Sequence, residues 1–197
     1  MKYNKIPADT FKELQLNAGI LLRDFKTTDG SFKMEDLLGA SSGGVNFKAA
    51  PSFEDFASDI DNAPKNMKEF KKLIEWAVSI TGTFASVTAK LAKSLVGAAD
   101  IDNVDETKIV PRNDLDQTDF EDIWWVGDYS DKNGDTNGGY IAIHVFNGLN
   151  TGGFQIQSTD RAKGKFAFEF TGHYSIEKQD QVPFEIYVKA GTDEPTS

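Results

Sequence analysis

The chain has 197 residues, no cysteine, and a formal net charge of −10 from 31 acidic and 21 basic side chains. An acidic chain without a basic cluster repels phosphate, which argues against a sequence-specific nucleic-acid binder. Without cysteine the chain has no disulfide, no thiolate metal site and no cysteine nucleophile. No stretch approaches the roughly 18 apolar residues of a membrane span, so we expect no membrane partner.

The first part of the chain predicts strands with one short helical segment between them. Leu14–Phe25 has an apolar residue at every second position, which predicts a strand. Gly44–Ala50 predicts a second strand, which we expect Pro51 to end. Met67–Leu73 has helical spacing and predicts a short helix. From Trp76 to Phe84 the period returns to two, with small polar residues on the alternate face, as expected for a half-buried strand.

The segment Ser52–Asn66 lies between these predicted elements and has no strand period. It carries acidic residues with Phe53, Phe56 and Ile60 interleaved among them. We interpret it as a long, partly ordered loop, and such loops are uncommon in compact domains and usually functional. A solvated linker is the alternative interpretation, but the interleaved apolar side chains favour docking against another surface.

The best predicted helix is Thr88–Val96, which has an apolar stripe on one side and lysines on the other. Ser86 is the expected N-cap, and Gly97 is the expected end of the helix. A helix this short, with an alanine-rich face, is typical of a cover packed on a sheet.

The remaining predicted elements are strands, and most alternate apolar and polar side chains. They are Lys108–Pro111, Ile123–Tyr129, Tyr140–Phe146, Gly153–Gln157, Lys165–Tyr174 and Phe184–Val188. About eight or more strands with one good helix predict a single mainly β domain over residues 1–197. Its expected architecture is an antiparallel β-sandwich or barrel flanked by one α-helix.

Residues that carry chemistry are sparse, and we expect neither an enzyme nor a cofactor. The two histidines, His144 and His173, each fall in a predicted strand, where a packed, hydrogen-bonded role is typical. The sequence has no nucleophile elbow, phosphate loop, dinucleotide-binding fingerprint or zinc-protease motif.

Acidic side chains close in sequence leave a glycosidase as an alternative. The candidate pairs are Asp128 with Asp131 and Glu121 with Asp122. Such an enzyme needs two carboxyl groups about 5 to 9 Å apart across a cleft, and no second motif supports one here.

The stretch Ser130–Tyr140 resembles the first half of a calcium loop. Asn133, Asp135 and Asn137 place oxygen ligands at positions 1, 3 and 5, and a glycine follows. Position 12 is then His144, where a bidentate Glu is required. Two Asn-Gly pairs between apolar strands are a strong hairpin signal, so a hairpin is favoured and no metal is expected.

Several longer segments together resemble one protein family. They are LQLNAGILLRDF, GVNFKAAPSFEDFASDIDNAPKN, EWAVSITGTF, KIVPRNDL, FEDIWWVGDYSDKNG, NGGYIAIHVFNGLNTGGFQIQ and KGKFAFEFTGHYSIEKQDQVPFEIYV. They resemble the major tail proteins, or tail tube proteins, of long non-contractile-tailed phages, which are related to the tube proteins of type VI secretion. The likeness covers nearly the whole chain and includes no catalytic motif.

The resemblance implies a β-sandwich flanked by a helix, six copies of which form a ring, and rings that stack into the phage tail tube. The protein would be made and assembled in the host cytoplasm and end in the virion tail. Its partners would be other copies of itself and the tape-measure, tail-terminator and distal tail proteins. DNA would pass through the tube during ejection without sequence-specific binding.

The resemblance also assigns parts of the chain to assembly. An extended stacking loop would span about 51–66, with Phe53, Phe56 and Ile60 in contact with the adjacent ring. An N-terminal arm of about 1–12 and a flexible C-terminal tail of about 190–197 would become ordered on assembly.

A ring of six chains carries about −60 formal charges, six times −10, and an acidic lumen repels DNA phosphate. Glu75 and Glu169 are the candidate lumen acids, although polar strand faces of this kind meet outer solvent equally well.

The alternative function is a monomeric β-sandwich module that binds carbohydrate or calcium, with Trp124 and Trp125 stacked on sugars.

Overall fold

The computed structural model describes residues 3–132, 134 and 136–193. Within this part of the chain there are ten strands, one α-helix and four short 3₁₀ helices. The strands are β1 (Ile20–Leu22), β2 (Ser41–Asp55), β3 (Lys71–Phe84), β4 (Ala99–Ile101), β5 (Ile109–Pro111), β6 (Glu121–Tyr129), β7 (Gly139–Asn150), β8 (Gln155–Gln157), β9 (Lys165–Gly172) and β10 (Phe184–Lys189). The helix α1 is Ala89–Val96, and the 3₁₀ helices are Thr10–Glu13, Met34–Asp36, Lys68–Phe70 and Gln117–Asp119.

Eight of the strands form two connected layers, and every pairing between strands is antiparallel. Sheet A contains β1, β6, β7 and β10 in that order, and sheet B contains β2, β3, β9 and β8. Strand β7 joins the layers, because its last residues, Leu149 and Asn150, pair with β9. The strands β4 and β5 form a separate ribbon. The fold is therefore mainly β, an antiparallel sandwich with one helix, as the sequence predicts.

The main core lies between the two sheets and beneath the helix. Its large buried members are Leu21, Leu38, Val78, Ile80, Phe84, Leu91, Leu95, Ile123, Ile143, Val145, Phe166, Phe168 and Phe170. The buried positions alternate along β3 and β9, which confirms the faces predicted for these two strands. Each fully buried side chain of this kind contributes about 1.5–3 kcal/mol by leaving water.

Sheet A is apolar on both faces, because a second cluster covers its other side. This cluster contains Leu22, Phe25, Trp124, Tyr140 and Ala142. The Tyr140 hydroxyl donates to the Thr27 carbonyl at 2.5 Å and so fixes the segment that covers this face. The run of consecutive apolar residues in β6 follows from burial on both sides.

The helix lies where the sequence predicts it, but its cap differs. The Thr88 Oγ1 accepts a hydrogen bond from the Leu91 amide at 3.2 Å, so Thr88 is the N-cap and the expectation for Ser86 was wrong. The Ser86 hydroxyl instead accepts from the Ala40 amide at 3.1 Å. Gly97 ends the helix with φ of 88°, as predicted.

The predicted strand Leu14–Phe25 is much shorter in the structure. Only β1 pairs as a strand, and Gly19 before it has φ of 68°, a conformation that interrupts an extended chain. Gly19 also lies so close to the Trp125 ring that a Cβ atom would stand 2.5 Å from it. The predicted helix Met67–Leu73 is reduced to one 3₁₀ turn, because β3 already begins at Lys71.

Strand β2 does not end at Pro51, which corrects the predicted boundary. Pro51 lies opposite Trp76, whose amide donates to the Tyr174 hydroxyl at 3.0 Å and therefore not to Pro51. The pair is thus not hydrogen-bonded, and the Pro51 nitrogen points to the side of β2 where the described residues supply no partner strand. Proline is tolerated at such an edge position, and β2 continues to Asp55.

Candidate assembly surfaces

Strands β2 and β3 form a long hairpin whose far end projects from the sandwich. The third strand beside it, β9, pairs with β3 only from Val78 to Phe84. Beyond Val78 the two hairpin strands pair only with each other, out to Asp55 opposite Lys71. The segment predicted as a loop over 51–66 is therefore partly strand, and it forms the end of a projecting ribbon.

One face of the projecting ribbon continues the inner face of sheet B. The Phe47 and Trp76 rings on this face pack against Phe184, with centroids 5.7 and 5.3 Å apart. Because β2 keeps its alternation, Phe53 lies on the same side, opposite Leu73. An extra residue in β3, Ile74, forms a bulge at this point.

Beyond Trp76, six large apolar side chains of the ribbon and its tip are exposed. They are Phe53, Phe56, Ile60, Phe70, Leu73 and Ile74, with exposed fractions from 37% to 53%. We call this set the apolar overhang. It includes all three residues predicted for inter-ring contact. The other three, Phe70, Leu73 and Ile74, were not predicted as contact residues, because Met67–Leu73 was interpreted as a short helix. The signal that could have identified them is the apolar character of Leu73 and Ile74 just before the predicted strand.

The tip of the hairpin is closed by hydrogen bonds of its own. The Asp55 carboxylate accepts from the Asn66 amide at 2.7 Å and from the Ala57 amide at 3.0 Å. These two bonds, the first being the larger effect, hold the pKa of Asp55 below its ordinary value. The Phe56 amide also donates to the Phe70 carbonyl at 3.0 Å. Order at the tip therefore does not depend on burial of Phe56 or Ile60.

The outer face of sheet B is polar and built largely from small residues. Ser79, Thr81 and Thr83 of β3 lie there beside Thr171 and Ala167 of β9. Charged side chains on this face and its extension onto the ribbon balance to zero, three acidic against three basic. They are Glu54, Glu75 and Glu169 with Lys48, Lys72 and Lys165. Both candidate lumen acids thus share one exposed face, and basic side chains accompany them.

Sheet B has an open edge on each side among the described residues. Strand β2 pairs only with β3, and strand β8 pairs only with β9. The unpaired amides and carbonyls of an edge strand can bind a strand from another chain. Here the longer edge runs over the 15 residues of β2.

The candidate catalytic carboxylates have structural partners. Glu121 accepts from Arg23 Nε at 2.9 Å and from the Ser94 hydroxyl at 3.0 Å. Asp128 accepts from the Asn17 side chain, and Asp131 accepts from the Ser130 hydroxyl at 2.9 Å. The fourth carboxylate, Asp122, lies 3.1 Å from His144 Nε2, and this contact is the main cause of its lowered pKa.

The histidines and tryptophans are packed rather than presented to a ligand. His144 stacks on Trp124 with ring centroids 3.8 Å apart, and both are buried. His173 Nδ1 lies 3.0 Å from the Asn147 carbonyl. Trp124 is only 7% exposed, so the expectation that it stacks on a sugar was wrong. Trp125 is half-buried, and its indole nitrogen donates to the Ala18 carbonyl at 3.0 Å.

A cavity of about 720 Å³ lies between the segment around Asn17–Phe32 and the hairpin of β6 and β7. Polar groups that line it bond to one another or to neighbouring backbone, as Asn17 does to Asp128. Lys189 Nζ donates to the Thr28 carbonyl at 3.4 Å and lies over the Tyr140 ring. We find no acid–base pair assembled in this cavity among the residues that the structure describes.

The predicted hairpin at Ser130–Tyr140 is confirmed, because β6 and β7 pair antiparallel on either side of it. The proposed calcium ligands Asn133 and Asp135 lie outside the described residues. Among the residues that the structure describes, no group of three or more His, Asp or Glu side chains is arranged to hold a metal ion.

The two terminal segments predicted for assembly are described in part. In the N-terminal arm of about 1–12, Ile6 and Phe11 are 78% and 61% exposed. In the tail of about 190–197, the Thr192 amide donates to the Asn137 carbonyl at 2.9 Å, and Asp193 pairs with Lys132 at 2.8 Å. Residues 1–2 and 194–197 lie outside the described part.

No protein-family model matches the chain, and no curated protein matches it either. None of the helices in the described ranges combines the length and the apolar character needed to cross a membrane.

Proposed function

We propose that this chain is a structural virion protein that forms hexameric rings, stacked as the tail tube through which a phage ejects its DNA. The observation that carries the proposal is the apolar overhang at the end of the projecting hairpin. Six large apolar side chains are exposed together at the end of the projecting hairpin, and contiguous patches of this kind mark interaction sites. In a stacked tube they are the contact between adjacent rings.

The open edges of sheet B support ring formation. An edge of β2 in one copy pairs with the edge of β8 in the next, so that each copy uses two different surfaces. A head-to-tail contact of this kind closes into a ring when its rotation allows, and it covers the part of the β2 edge that the three residues of β8 can pair with. The resemblance to tail tube proteins sets the expected number of copies at six.

In this ring the outer face of sheet B lines the lumen. Small hydroxyl and methyl side chains form a smooth wall, and Glu75 and Glu169 lie on it with the accompanying lysines. DNA then meets a charge-balanced surface rather than the acidic one expected from the net charge alone. A balanced wall also gives no fixed array of cations to hold phosphate, so the DNA slides without sequence-specific binding.

The other partners follow from the same proposal. The tape-measure protein would occupy the lumen before DNA, and the terminator and distal tail proteins would cap the two ends of the tube. Assembly would take place in the host cytoplasm, and the finished protein would reside in the virion tail. Neither catalysis nor a cofactor is part of this function.

The test is direct observation of assembly. Purified protein is concentrated and examined by light scattering after size exclusion and by negative-stain electron microscopy. We expect rings about the size of a hexamer and tubes built from them. A protein that stays monomeric across the whole accessible concentration range would contradict the proposal.

A further inference from the structure

Sheet A carries a second exposed apolar surface, which lies on the side of the sheet that faces the core. Strand β10 pairs with β7 so that Ile186 is opposite Ile143 and Val188 is opposite Ile141. Because directly opposed residues point to the same side, Ile186 and Val188 share the side of the core residue Ile143. They are 51% and 57% exposed.

Trp125 of β6 lies opposite Ile143 as well, and it is half-buried against the core. We call Trp125, Ile141, Ile186 and Val188 the sheet A strip. Trp125 and Ile141 are partly buried, and Ile186 and Val188 form the exposed end of the strip.

Both exposed surfaces have the same physical origin, an incomplete overlap of the two layers. At Phe184 the layers still touch, because its ring packs on Phe47 and Trp76. Past this contact, sheet B continues as the apolar overhang and sheet A continues as the strip. Each is an inward-type apolar face that the opposite sheet of the same copy does not cover.

We infer that the apolar overhang of one copy packs on the sheet A strip of a second copy. Within one copy the six overhang residues, Ile186 and Val188 all remain 37% to 57% exposed, so the overhang does not cover its own strip. A contact between two different surfaces repeats from copy to copy, as stacking requires. The inference rests on the proposed function and adds to it the surface that receives the hairpin.

The area of the overhang suits a second copy of the chain. With about 150–250 Å² for a large apolar side chain, six of them exposed by 37% to 53% present roughly 500 Å². One side of a standard protein interface buries about 800 Å², of which about 60% is apolar. The overhang alone therefore matches the apolar share of one such side.

The chain has no cysteine, so pairs of introduced thiols report contacts without background. The test variant carries Leu73→Cys and Val188→Cys, and the matched control carries Leu73→Cys and Val104→Cys. Val104 is 96% exposed and follows β4, which belongs to the separate ribbon of β4 and β5. Assembled protein is treated with a short-arm bismaleimide and separated on a denaturing gel. Single-cysteine chains are also mixed in pairs, so that a bond between two copies is distinguished from one within a copy.

We expect the Leu73–Val188 variant to form a ladder of covalent oligomers and the Leu73–Val104 control to remain mostly monomeric. We also expect Ile186→Ser with Val188→Ser to keep the monomer folded but to raise the concentration needed for tubes at least tenfold. Tubes from the test variant without a ladder would overturn the inference and leave the proposed function intact. If the wild-type chain itself never forms rings or tubes, the proposed function fails and the inference fails with it.

Discussion

At the residue scale, hydroxyl groups near the start of α1 have separate tasks. Thr88 caps the helix by accepting from the Leu91 amide, while Ser86 ties the chain before the helix to Ala40. Ser and Thr are both good caps, and Ser86 and Thr88 lie two positions apart, so residue type alone does not decide which of them caps the helix. The backbone decides between them, because only Thr88 directly precedes the first helical residue.

The two hydroxyls are separable by substitution. Thr88→Ala removes the acceptor of a helix amide and should lower the free energy of unfolding by about 1 kcal/mol. Ser86→Ala is the matched control, since it removes a surface hydrogen bond and should cost no more than about 0.5 kcal/mol. Urea denaturation of the monomer measures both. A larger loss for Ser86→Ala would mean that the cap is assigned to the wrong residue.

At the element scale, the predictions from sequence were least accurate for the long hairpin of β2 and β3. Pro51 is a stop signal for a strand inside a sheet, but β2 is an edge strand and pairs on one side only. The strand therefore continues past the proline and places Phe53 on the projecting part of the hairpin. The exposed apolar side chains follow from that extension.

The first prediction for this element concerns Phe53→Ser combined with Phe56→Ser. Both side chains are about half exposed in the monomer, so we expect thermal unfolding of the monomer to change little. Tube growth should be strongly impaired, because the change removes apolar area from the overhang. Electron microscopy of matched protein concentrations measures tube length, with Val104→Ser as the control. Tubes of normal length from the double variant would refute the stacking role of the hairpin.

The second prediction concerns the pH dependence of the hairpin tip. The folded structure lowers the pKa of Asp55, whose ordinary value is 3.8, by hydrogen bonds from the Asn66 and Ala57 amides. Its stabilising effect is complete above pH 3.8 and is lost as the pH falls through the lowered folded value. We expect the Asn66 and Ala57 amide signals in NMR spectra to shift and broaden below that pH.

The variant Asp55→Ala is the reference for this titration, because it lacks the carboxylate at every pH. Near neutral pH its tip amides should resemble those of the wild-type protein in acid. Identical spectra for the two proteins at pH 6 would show that the carboxylate does not order the tip.

At the scale of the whole molecule, the net charge of −10 opposes association of like copies. The outer face of sheet B contributes nothing to this charge, because its acidic and basic side chains balance. The excess acid is therefore on other surfaces, where it keeps free subunits apart. Apolar contacts and paired strand edges must overcome that repulsion for a tube to form.

This balance predicts how assembly responds to salt. Raising the ionic strength from about 0.02 M to 0.2 M shortens the screening length from above 20 Å to below 10 Å. Repulsion between copies weakens while the apolar contact persists, so the minimum concentration for tubes should fall several-fold. Sedimentation of assembled protein at a series of concentrations measures it. Dissolution of the tubes by the same salt would show that ion pairs, rather than apolar contacts, join the copies.

Local patterns in the chain were sufficient for the class of fold and for much of its core. The alternation in β3 and β9 identified their buried faces, and Gly97 marked the end of the helix correctly. The hairpin between β6 and β7 was also visible, since turn residues separate two apolar strands. These features depend on residues that are close together in the sequence, so they can be predicted from the sequence alone.

The tertiary structure alone decided which side chains are covered and which are left open. Trp124 is buried because a distant segment closes over the second face of sheet A, and Phe53 is exposed because it lies beyond the contact of Phe184 with Phe47 and Trp76, where the layers still touch. An alternating pattern reports which side of a strand is apolar, but it carries no information about what lies opposite. The two half-covered faces, and with them the proposed contact between copies, arise from how far one sheet overlaps the other.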